Sequence, residues 1–179
     1  VTITGNGRTS TVIDAQSQSQ IFAITGTDIE VTIDAVTLQN GWTGGNGGAI
    51  YSLVTGNSLL TITNSEVSHN YADDYGGAIF SQAGNVVISG STLSDNLASD
   101  GGGGAIHSSG GNVTISDSLL SGNETGQTGG AISARNGVLI ITDSTLSGNS
   151  ADQGGAIYAG YYGSQLELRV TGSSFDQNY

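Results

Sequence analysis

An all-β, parallel β-helix (a β-solenoid) with three strands per turn and about six turns is the fold this sequence predicts. Three signals recur in one order and with one period. Gly-Gly-Ala-Ile begins at Gly47, Gly76, Gly103, Gly129 and Gly154, at intervals shrinking from 29 to 25 residues. An apolar-x-apolar triplet follows each: Leu60/Ile62, Val86/Ile88, Val113/Ile115, Leu139/Ile141 and Leu168/Val170. An apolar residue then precedes an asparagine by three positions: Val67/Asn70, Leu93/Asn96, Leu120/Asn123, Leu146/Asn149 and Phe175/Asn178. A sustained period of this length marks stacked repeats.

Each repeat reads as three short strands. The first starts at the glycine pair, as in Gly77-Ala78-Ile79-Phe80, and places Ile50, Ile79, Ile106, Ile132 and Ile157 in one internal column. The second alternates, Val113 and Ile115 on one face with Thr114 on the other, which is the period of a half-buried strand. Asn64, Gly90, Asp117, Asp143 and Gly172 fill the corner that follows. These residue types tolerate a left-handed backbone, so one αL corner is expected on every turn. The third strand carries the apolar residue before the asparagine. No stretch shows helical spacing of apolar residues. A turn with three or four inward side chains is no globule by itself, but turns stacked ~4.8 Å apart share one core and satisfy one another's backbone. Six turns make a rod near 30 Å long at ~4.8 Å per turn. The crossover preference of parallel strands makes the coil right-handed.

Residues 1–179 read as a single β-helix domain, with 47–179 regular and 1–46 divergent. In the divergent part Val31-Thr32-Ile33 is a second strand, Leu38 holds the third, and Asn40 lies one position early. Phe22 to Thr25 and Val1-Thr2-Ile3 are earlier first and second strands. The chain opens on a second strand and stops after a third with no capping segment, so a slice of a longer polypeptide is expected.

Composition removes several functions. Fifteen acidic residues face three arginines and no lysine, for a net charge of −12. No basic patch for nucleic acid or anionic lipid can be assembled. No apolar run approaches the ~20 residues of a membrane span. The absence of cysteine excludes disulfides and thiolate metal sites.

Asn70, Asn96, Asn123, Asn149 and Asn178 are expected to form a structural amide ladder at one corner. With the first-strand isoleucines inward, Tyr51, Phe80, His107, Ser133 and Tyr158 face outward. They are expected as an exposed, mostly aromatic column that either stabilises the sheet or binds a glycan or protein. Tyr51, Phe80, His107 and Tyr158 are its candidate binding residues, with Trp42, Tyr71, Tyr75, Tyr161 and Tyr162 in nearby loops. Asp73, Asp74, Asp100 and Asp152 precede the glycine pairs. They are candidates for calcium, or for the paired carboxylates of a glycosidase if Asp74 and Asp100 approach within roughly 5–10 Å. No motif accompanies them, and Arg8, Arg135 and Arg169 are too dispersed for a lyase. The expectation is therefore no enzymatic activity, no cofactor and no transition-metal site, with solvated acidic loops.

The pairing of GGAI with Phe-x-x-Asn resembles the repeat of the polymorphic outer membrane proteins, the chlamydial-type autotransporter passengers. The resemblance covers 47–179, although only Phe175 keeps the aromatic position. It implies a bacterial extracellular or cell-surface stalk with adhesin-like function, whose partner is a host-cell or matrix glycan or protein. The alternatives are a structural fibre assembled by end-to-end self-stacking and a polysaccharide-binding or polysaccharide-degrading β-helix.

Overall fold

The computed structural model describes every residue except Tyr161, Tyr162 and Ser164. Among the described residues all regular structure is β, and every strand pairs in parallel with its counterpart one turn away. One turn shows the pattern. A first strand, Ile79–Ser81, leads to a second, Asn85–Ser89, and a third, Thr92–Ser94. The structure adds a fourth, two-residue strand after the asparagine, here Leu97–Ala98. Stacking these turns gives sheets of six first strands, seven second strands, seven third strands and four of the short fourth strands.

The register is like on like. Ile79 pairs with Ile50 and Ile106, Ile132 with Ile106 and Ile157. Val86 and Ile88 sit over Leu60 and Ile62 and under Val113 and Ile115. Leu93 lies between Val67 and Leu120. The register reaches the divergent turns, where Ile3 pairs with Ile33 and Phe22 with Ile50. Val12–Asp14, unassigned in the sequence, forms the earliest third strand through Ile13 over Leu38. One apolar cluster runs along the axis and excludes water from these columns.

The glycine pair has two separate causes. The first glycine adopts positive φ, 68° at Gly76 and 76° at Gly103. The second passes so close to the adjacent turn that a methyl group on Gly104 would overlap the carbonyl of Gly130 and the backbone of Glu124. The corner after the second strand is left-handed as expected, with φ of 49° at Asn64 and Asp117 and 47° at Asp143. A second left-handed column precedes the asparagines at His69, Asp95, Gly122, Gly148 and Gln177. Asn40 belongs to this column, with φ of 54°, so Gly41 occupies the ladder position in its turn.

Two side-chain ladders close the polar corners. Along the asparagine column, each Nδ2 donates to the Oδ1 of the next: Asn70 to Asn96 at 3.0 Å, Asn96 to Asn123 and Asn123 to Asn149 at 2.9 Å, Asn149 to Asn178 at 2.8 Å. The same Oδ1 atoms accept the backbone N–H of the preceding asparagine, and at the end of the column Gly41 N–H donates to Asn70. Each Nδ2 also donates back to a strand carbonyl, as Asn123 does to Leu93 at 3.0 Å. Serines make the second ladder, which the sequence reading passed over. Ser65, Ser91, Ser118 and Ser144 each donate a backbone N–H to the hydroxyl of the serine one turn on. Each hydroxyl donates to the carbonyl two residues before it.

Candidate functional site

The outward file of the first strands is continuous in register but not exposed, which corrects the sequence expectation. Tyr51 stacks on Phe80 at 5.6 Å between ring centroids, and Phe80 on His107 at 5.6 Å with their planes 2° apart. Phe80 is 8% exposed, His107 1% and Ser133 2%, whereas Tyr51 and Tyr158 are half-buried. Over His107 and Ser133 the reason is the segment before a glycine pair, which folds back onto this sheet. Tyr75 lies against His107 at 4.5 Å, and the Arg135 guanidinium sits 5.1 Å over the Tyr75 ring. The covered part of the file is thus stacking that stabilises the sheet.

His107 is held neutral in this layer. Its Nε2 lies 3.2 Å from the Ser109 hydroxyl, while Nδ1 is buried without a hydrogen-bond partner among the described residues. Burial, and then the positive charge of Arg135, push its pKa down to about 3 against a smaller opposing pull from the Gly102 backbone.

The file breaks at Ser133, which pairs in register with His107 on one side and Tyr158 on the other. A half-open cleft of about 190 Å³ opens there, lined by Tyr75, Asp100, Thr128, Ser133, Arg135 and Tyr158. Gln127 and the backbone of Gly101 and Gly102 complete the wall. The Thr128 and Ser133 hydroxyls stand 3.4 Å apart, and a side chain on Gly102 would run into both. The lining comes from four successive turns: Ser133 and Tyr158 stand on first strands, Arg135 just after one, and the rest on the loops before the glycine pairs. Aromatic faces, hydroxyls, an amide, one cation and one carboxylate converge on a small space.

Residues 1–179, the whole chain, match the family model described as the right handed beta helix region. The chain belongs to that right-handed β-helix family. No curated protein and no solved structure matches it.

In this β-helix the acidic candidates are spread along one edge. Asp73 hydrogen-bonds the Tyr71 hydroxyl, which raises the Tyr71 pKa, and the charges of Asp73 and Asp100 act in the same direction. Asp100 donates its backbone N–H to Asp73 at 2.7 Å, and Asp74 donates to Gly45 at 3.0 Å. Asp74, Asp100 and Asp152 are exposed and Asp73 is half-buried. Among the described residues no three of His, Cys, Asp and Glu come together as a metal-holding group.

Of the four candidate binding residues, only Tyr158 lines the cleft; Tyr51, Phe80 and His107 belong to the stack. Asp100, Tyr75 and Arg135 join Tyr158 there, an arrangement the sequence does not signal for Arg135. The signal for the cleft was present in the file itself, as one small residue between two rings. Trp42 pairs with Tyr71 in the fourth sheet. Tyr161 and Tyr162 lie outside the described residues. The remaining cations sit elsewhere on the β-helix: Arg8 donates to the Thr92 hydroxyl at 3.3 Å, and Arg169 pairs with Glu167 at 2.5 Å.

Proposed function

We propose that this chain is a non-enzymatic, extracellular or cell-surface β-helical stalk from a bacterial protein, presenting its loops for adhesion. The observation that carries this reading is the cleft at Ser133, built by side chains of four successive turns on a frame closed by two ladders. Ser133 and Tyr158 stand on paired first strands, and the loop residues around them are tied turn to turn by backbone hydrogen bonds, so little ordering cost opposes binding. The three arginines support the non-enzymatic part. Arg8, Arg135 and Arg169 engage different faces of the coil, so the charge pairing that a lyase makes with a substrate carboxylate has no second cation beside it. The likeness of the GGAI and Phe-x-x-Asn repeats to the polymorphic outer membrane proteins supports surface display.

Beads carrying residues 1–179 test this directly. Retention on host-type cells or matrix-coated plates, lost after enzymatic deglycosylation of the target or competed by soluble chain, is the expected result. Beads that slide off every cell and matrix surface, together with release of new reducing ends from polysaccharides by the soluble chain, would overturn it.

A further inference from the structure

We propose that the outward face of the fourth sheet, formed by Trp42, Tyr71 and Leu97, docks a segment of another protein bearing an arginine beside an apolar residue. The guanidinium seats between Trp42 and Asp73. This stripe goes beyond the adhesive reading of the cleft: it lies on a different sheet, and Asp100 stands between the two. In a two-residue strand one side chain turns inward and the other outward. Ala72 and Ala98 are fully buried, so Tyr71 and Leu97 face out, and Trp42 pairs with Tyr71 in the same register. Two strand spacings, about 9.6 Å, separate Trp42 from Leu97 along the coil. Trp42 is 44% exposed and is the chain's single tryptophan.

Gly44 leaves a notch beside the indole. A carbon added there would meet nothing within 4 Å except Asp73 Oδ2 at 3.5 Å and Trp42 Cη2 at 3.9 Å. One position is therefore in reach of both the carboxylate and the ring, inside the ~6 Å over which an aromatic ring attracts a cation. Asp73 already accepts from the Tyr71 hydroxyl, but an ionised carboxylate has about four acceptor sites, so that bond fixes the group without filling it. Charge complementarity selects the occupant. Exposed Asp74, Asp100 and Glu124 border the stripe, and the charges of Asp73 and Asp100 both hold the Tyr71 proton in place. The chain's own arginines are engaged elsewhere, at Thr92, Tyr75 and Glu167, and a second copy at −12 would bring acid against acid. A metal ion lacks ligands, because among the described residues no three acidic or histidine side chains come together. A guanidinium is planar, lies against an indole and pairs with a carboxylate, and an apolar neighbour on the same segment covers Tyr71 and Leu97.

Tryptophan fluorescence tests this, because all of that emission comes from Trp42. The probe is the end-blocked pentapeptide Gly-Leu-Arg-Leu-Gly, with citrulline in place of arginine as a neutral copy of the same shape. Asp73→Asn keeps an acceptor for Tyr71, and Gly44→Leu fills the notch at an exposed position. Both are compared with the parent, each with its melting temperature measured. The expected result is a saturable change of emission with the arginine peptide, weakened about threefold or more by citrulline and by each variant, and falling several-fold between about 50 and 500 mM salt. Equal responses to the two peptides, or arginine binding indifferent to both variants, would overturn the proposal. So would emission that shifts with protein concentration alone, the mark of a second copy on the stripe, or no change up to about 10 mM peptide.

Discussion

Replacing Asn123 by leucine interrupts the asparagine ladder at its centre. The two side chains branch alike and leucine is the bulkier, so the change removes hydrogen bonds without opening a cavity. Asn123 is fully buried and makes four side-chain bonds: it accepts from the Asn96 backbone N–H at 3.2 Å and Asn96 Nδ2 at 2.9 Å, and donates to Leu93 and Asn149. Asn96 Nδ2 keeps the Val67 carbonyl, and Asn149 Oδ1 keeps the Asn123 backbone N–H. The Asn96 N–H is left without its acceptor, and a buried donor stranded in this way costs about 1–3 kcal/mol. With the net loss of the other bonds, and some return from burying the leucine, the expected destabilisation is about 3 kcal/mol. For a chain of this size that lowers the melting temperature by about 6–12 °C. Asn178→Leu is the internal comparison, because its half-buried position lets water replace the lost partners, and less than about 1 kcal/mol is expected. Calorimetric melting of the two variants, with hydrogen exchange at the Asn96 amide, measures the difference. Equal melting temperatures for parent and Asn123→Leu, or equal losses in the two variants, would refute the claim that the ladder holds the corner.

Gly104→Ala drives a methyl group into the Gly130 carbonyl and should cost about 3 kcal/mol or more, whereas Gly44→Ala, whose nearest neighbour would lie at 3.5 Å, should cost under about 1 kcal/mol; urea midpoints at constant slope separate them. Asp117→Gly should leave the melting temperature within a few degrees, while Asp117→Val, a β-branched residue at φ 49°, should lower it by about 4–8 °C. His107 binds its proton less readily folded than unfolded, so its contribution is present above pH 6.5 and is lost as pH falls toward 3. Stability should drop by about 2 kcal/mol between pH 7 and 5. His107→Phe, which keeps the stacked ring and removes the unpaired Nδ1, should flatten that slope in denaturation curves across the same range. Asp14 and Asp34 accept side-chain bonds that hold their carboxyls below the usual range, so acid loss from them begins at lower pH and leaves this window clear.

The columns were legible in the sequence because stacking turns repeats one side chain at one place. Ile79 over Ile106 and Leu93 over Leu120 follow from the interval between motifs alone. The corner at Asn64, Gly90 and Asp117 was legible for the same reason, through residue types that share a backbone conformation rather than a polarity. The fourth strand was not, because Tyr71–Ala72, Leu97–Ala98 and Glu124–Thr125 share no outward residue type and are too short to alternate. The serine ladder was readable from Ser65, Ser91, Ser118, Ser144 and Ser173, but serine is common in turns and its column was masked by the corner residue before it. Asn40 misled because asparagine suits both the left-handed position and the ladder position, which are adjacent. The candidate site failed in a more basic way. Alternation states which face of a strand a residue occupies and says nothing of what lies above that face, so Phe80 and His107 read as surface while the Tyr75 segment covers them.

Every rung of the asparagine column is oriented alike, with its oxygen turned toward the earlier coil and its amide toward the later one. The side-chain dipoles therefore add along the axis, unlike the nearly cancelling dipoles of a sheet. The rod carries an arrow. A segment laid against it in the opposite sense would set oxygen against oxygen or amide against amide, so growth of this interior has one permitted direction, that of the polypeptide itself.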